Sequence, residues 1–87
     1  MDKFSEREDQ MMFYAFRYCL GRMTYAVDDC ARYLIANWDR LSENSQKLIV
    51  KEINEALEKA KAGHPGYPAG HQCDIDSWTR VLERANQ

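Results

Sequence analysis

Excess positive charge, long apolar runs and paired cysteines are all missing from this 87-residue sequence. Twelve Lys and Arg stand against fourteen Asp and Glu, a net charge of -2. Nucleic-acid binding draws its affinity from neutralising phosphates, so this balance argues against direct binding by a generally basic surface. The longest wholly apolar run, Met11 to Phe16, has six residues, whereas a bilayer span needs about 20. Asp2, Glu6, Glu8 and Asp9 occupy the place of a basic n-region and apolar h-region, so no signal peptide is expected. Cys19, Cys30 and Cys73 are an odd number without paired spacing, which a disulfide framework would not favour. The expectation is a chain of a reducing cytoplasm, off the membrane. Its thiols should mostly pack as small apolar groups, with Cys73 the candidate for exposure.

Catalytic signatures are also wanting. The sequence has no Gly-x-Ser-x-Gly, no phosphate-cradling glycine loop before a Lys and no His-Glu-x-x-His, so no enzyme is expected. His64, His71, Cys73 and Asp74 are the cluster closest to a metal-ligand set. It lacks the tight pairs of a zinc site, and the expectation is no metal, no cofactor and two histidines on a loop. A thiol and base at Cys73 and His71 would lack an orienting third group.

The residues that are present describe a folded protein: 45% apolar, 11% aromatic and 30% charged, the balance of a globular chain. Helical spacing recurs throughout and strand alternation does not. The expected fold is all-α, a compact bundle of four helices at about 5–20, 25–38, 43–62 and 75–85, in one domain over residues 1–87. A Gly/Pro-rich loop should occupy 63–72, because five of the six Gly and Pro residues fall there. Ser5 with Glu8 matches a capping box for helix one, and Gly21 suits its end. Helix two carries Val27, Cys30, Ala31, Leu34 and Trp38 on one stripe, with Thr24 as a candidate N-cap. Helix three starts after Ser42 and buries Ile49, Ile53, Ala56, Leu57 and Ala60. Glu43, Lys47, Lys51, Glu55 and Lys59 make a solvated ladder on its other side. Asp74 is the expected cap of helix four, which aligns Ile75, Trp78, Leu82 and Ala85.

Helix one carries more apolar surface than a core needs. Met12, Phe16 and Cys19 mark one face, while Met11, Tyr14 and Tyr18 mark a second. A helix apolar nearly all round is buried on both sides. It is either central, surrounded by the other three, or completed by another chain, a copy of itself or a target. Tyr and Met suit such a contact because they combine large area with a polar or adaptable end. The turn after this helix delivers Arg22, Thr24 and Tyr25 to the start of helix two. Five of the seven arginines precede Leu41, and Arg with Tyr supplies stacking and forked hydrogen bonds. The candidate partner-binding set is therefore Met11, Tyr14, Arg17, Tyr18, Arg22 and Tyr25. An alternative is an anion seat in which Arg17, Arg22 and Thr24 hold the phosphate of a small nucleotide and Tyr25 or Tyr18 stacks on its base. Asp28 and Asp29 would repel a phosphate there and instead hold Arg22 or Arg32. A helix-turn-helix through helices two and three is disfavoured by Glu43, Glu52 and Glu55 on the reading helix.

The stretch Phe16-Arg17-Tyr18-Cys19-Leu20-Gly21-Arg22-Met23-Thr24-Tyr25-Ala26-Val27 resembles a recurring segment of small proteins encoded by tailed phages and prophages. Asn37-Trp38-Asp39, the run from Ile49 to Ile53, and Cys73-Asp74 followed by Trp78 resemble the same group. The resemblance implies a viral all-helical protein of the kind that acts by occupying a host protein. Its first expected role is a non-enzymatic inhibitor of a bacterial defence system, with anti-CRISPR activity as the leading case. The alternatives are a sponge that sequesters a signalling nucleotide and a self-associating structural or regulatory phage protein.

Overall fold

The computed structural model describes residues 2–20, 25–62 and 72–87, with the backbone alone for Tyr25 and Cys73. Among them are four α-helices, α1 (Glu6–Leu20), α2 (Tyr25–Ala36), α3 (Glu43–Lys61) and α4 (Gln72–Ala85), and a 3-10 turn over Trp38–Arg40. The all-α bundle read from the helical period is the fold.

Local chemistry sets the ends of the helices. The Ser5 N–H donates to Glu8 Oε1 at 2.9 Å and the Glu8 N–H to Ser5 Oγ at 3.2 Å, completing the capping box. Both hydrogen bonds favour the ionised carboxylate and hold Glu8 below its usual pKa. Ser42 caps α3 by accepting from the Ser45 N–H at 3.1 Å. The ladder on α3 is exposed throughout, with Lys47 3.8 Å from Glu43.

Two boundaries differ from the sequence reading by more than one residue. α2 stops at Ala36 and not at Trp38. There Asn37 Nδ2 donates to the Tyr33 carbonyl at 2.9 Å, taking up a last-turn acceptor. The chain then tightens into the 3-10 turn, which still places Trp38 in the core. α4 begins at Gln72, three residues before the expected start, aided by the i,i+4 hydrogen bond from Gln72 Nε2 to Asp76 Oδ1 at 2.9 Å. Asp74 is therefore not the cap but a buried first-turn residue, where its charge suits the helix dipole. Gln72, expected in the loop, is helical, and the rest of that loop lies outside the described residues, as do Gly21 and Thr24.

Neighbouring helix pairs are α1 with α2, α2 with α4, α4 with α3 and α3 with α1. The four thus form a ring around a core of Phe16, Val27, Leu34, Trp38, Leu41, Ile49, Ile53, Trp78 and Val81. Val81 is fully buried although it falls outside the expected α4 stripe, because α4 turns that side toward α2. Ile75 and Leu82 are only half-buried. Asp28 fastens the α2–α4 pair by accepting from Arg80 Nη2 at 2.8 Å, and on α2 itself it accepts from Arg32 Nε at 2.8 Å. The segment before α1 is strapped to the 3-10 turn. The Phe4 N–H donates to the Arg40 carbonyl at 2.8 Å, and the Arg40 guanidinium lies 4.2 Å over the Phe4 ring.

Candidate functional site

α1 occupies a corner of the ring, so it has one buried side and one outer side. It is not the central helix that its all-round apolar pattern also allowed. Phe16 is fully buried, with Met12, Phe13, Cys19 and Leu20 packed around the core. Met11, Tyr14 and Tyr18 are 65%, 65% and 64% exposed. Their spacings of three and four stack them along the outer side of the helix. Isolated exposed apolar residues are ordinary on a protein surface, but an aligned row of large ones marks an interaction surface.

Beside this row, a groove of about 550 Å³ separates α1 from the first turns of α3. Tyr14 and Arg17 line one wall, Ser45 and Leu48 the other, and Phe4 and Asp9 one end. Leu48 is itself an exposed large apolar residue and extends the Tyr14 surface across the groove. The groove is held open by a polar joint. Asp9 accepts from the Ser42 N–H at 2.7 Å, from Ser42 Oγ at 2.8 Å and from Ser45 Oγ at 2.5 Å. Burial pushes the Asp9 pKa up, but the hydrogen bonds from Ser45 and Ser42 and the charge of Lys3 outweigh it. The net direction is downward. Asp9 is thus an ionised clasp that fixes α1 against the α3 N-terminus, where the helix dipole favours its charge.

Arg17 reaches α3. Its Nε lies 3.3 Å from Glu52 Oε1, with the two side chains 58% and 23% exposed. Its guanidinium also sits 6.0 Å from the Phe13 ring centroid. In the alternative reading Arg17 joins Arg22 and Thr24 at a phosphate seat, and of these three the structure describes Arg17 alone, paired with Glu52. Arg22 and Thr24 lie outside the described residues, and so does the Tyr25 side chain. At the start of α2, Asp28 holds Arg32 as expected and also Arg80. The Arg32 bond and the charges of Arg32 and Arg80 keep Asp28 ionised, with its pKa lowered.

The structure therefore brings together Met11, Tyr14, Arg17 and Tyr18 of the six partner-binding candidates. Sequence reasoning missed Leu48 and the Asp9 clasp. Asp9 had a readable signal: it lies three and seven residues before Met12 and Phe16, on the side that is buried. Leu48 had none, because one Leu between a core stripe and a charged ladder reads equally as either. His64 and His71 lie outside the described residues, as does the Cys73 side chain. Among the described residues no three His, Cys, Asp or Glu come together as a metal site. No helix among them is long and apolar enough to cross a membrane.

No protein-family model, curated protein or solved structure gives a significant match to this chain.

Proposed function

We propose that this chain is a non-catalytic, phage-type inhibitor that binds and blocks a host protein of bacterial defence in the host cytoplasm. A CRISPR effector is the first target to test. The contact surface is the outer side of α1, with Met11, Tyr14 and Tyr18 as anchors and Arg17 at the rim. Arg22 and Tyr25 extend it along the sequence. One observation carries the reading: three large side chains in a continuous helical row stand about two-thirds exposed, opposite a side of the same helix that is sealed in the core. Covering such a row removes apolar area from water, and Tyr and Arg are the side chains that concentrate binding energy at interfaces. The resemblance to small phage proteins directs the search for a target to host defence.

The test is the Tyr14→Ala, Tyr18→Ala double variant, with its fold checked by circular dichroism. Loss of protection in phage plaque assays by a folded double variant supports the proposal. Undiminished protection overturns it.

A further inference from the structure

The outer side of α1 has a self-complementary order, and we infer that it pairs with the same side of a second copy, the two helices antiparallel about a two-fold axis. At 100° per residue, Arg7, Met11, Tyr14 and Tyr18 fall within an arc of about 60°. All four are exposed. An antiparallel pair centred between Met11 and Tyr14 sets Met11 of each chain against Tyr14 of the other. It also sets Arg7 against Tyr18. The first contact is a thioether on an aromatic ring and the second a guanidinium on an aromatic ring, both favourable pairings.

Charge selects the direction. α1 is acidic in its first turn, with Glu6, Glu8 and Asp9, and carries Arg17 in its last. Glu6 and Arg17 lie on the same flank of the helix, the flank that borders the α3 groove. In an antiparallel pair, equal flanks of the two helices meet, and Glu6 of each copy comes opposite Arg17 of the other. A parallel two-fold pair would instead bring unlike flanks together, so Glu6 and Arg17 would not meet, and it would align the two helix dipoles. The two-fold arrangement is also the commonest way for a protein to cover one patch with an identical one. A single helix row is a small interface, so the dimer dissociates on dilution. Pairing and host binding compete for one surface, and the inference rests on that surface and not on the identity of any host target.

Sedimentation equilibrium of the purified chain, from micromolar to millimolar concentration, reads the pairing without any host component. The expected result is a mass rising from that of one 10.2 kDa chain toward twice that value. Glu6→Arg alone and Arg17→Glu alone should each weaken pairing about tenfold, because two attractive contacts become repulsive. An equimolar mixture of these two variants should regain it, since every altered charge then meets its opposite. Arg17→Glu also faces Glu52, so circular dichroism accompanies each sample. Met11→Glu, at an exposed position, should abolish pairing without touching that bridge. A monomer throughout the range overturns the inference, as does a dimer that survives Met11→Glu. A mixture no better paired than its components overturns the antiparallel arrangement. A failure here leaves the plaque assay result standing, and the reverse also holds.

Discussion

The Phe16 ring meets the Trp78 indole edge-on, with ring centroids 5.5 Å apart and planes at 86°. This contact spans the bundle from α1 to α4, two helices that are not neighbours in the ring. Both side chains are fully buried. The edge-to-face geometry places the positive rim of one ring on the negative face of the other. Phe16→Ala should lower the unfolding free energy by about 3–5 kcal/mol, measured by urea denaturation, because surrounding helices refill such a cavity only in part. That is a large share of the roughly 5–15 kcal/mol that holds a typical domain together. A loss below about 1 kcal/mol would show that the two rings do not pack across the core.

Asp9 links stability to pH. Its folded pKa is lowered, so its contribution is fully present above the unfolded carboxylate value of about 3.9. It is lost as pH falls through the lower folded value. Asp9→Ala removes the acceptor of a buried Ser45 hydroxyl and should cost about 1–3 kcal/mol near neutral pH. Below about pH 4 the gap between the two proteins should narrow. Glu8 and Asp28 are also lowered, so the variant keeps part of the acid sensitivity. Urea titrations at a series of pH values would check both statements, and a gap that is constant with pH would refute the clasp.

Cys30 should resist alkylation in the folded state. Burial, together with the neighbouring Cys19 thiol, pushes its pKa up to about 12, and only the thiolate reacts. Mass spectrometry after iodoacetamide treatment at mildly alkaline pH should find Cys30 labelled in urea and unlabelled in buffer. Equal labelling in both would contradict its half-buried place between α1 and α2.

The strap of Phe4 on Arg40 should give a smaller, separable effect. Phe4 is half-buried under a guanidinium, and Phe4→Ala should cost about 1–2 kcal/mol from lost burial and cation–π contact. Thermal unfolding would read this as a modest drop in melting temperature. No drop at all would mean that the segment before α1 contributes nothing to stability.

Much of the bundle was legible because its signals are local. The capping box of Ser5 and Glu8, the Ser42 cap and the stripes through Val27–Leu34 and Ile49–Ala56 each need only a few consecutive residues. α2 and α4 were misjudged at their ends for the same reason. Trp38 keeps the helical spacing of α2, but Asn37 diverts the backbone, and period alone does not register such a turn. Asp74 resembles an N-cap in sequence, yet the preceding Gln72 and Asp76 pair extends the helix past it.

What the sequence by itself determined was the kind of element and its apolar side, since 100° per residue assigns neighbours on one helix without reference to any other. It also separated the two faces of α1, Met12 and Phe16 on one and Met11, Tyr14 and Tyr18 on the other. Only the tertiary structure decided which face was sealed, that Arg17 meets Glu52, and that Asp9 meets Ser42 and Ser45. Those relations join residues more than 30 positions apart. They depend on which helices become neighbours, and that choice is made by the packing of the whole core.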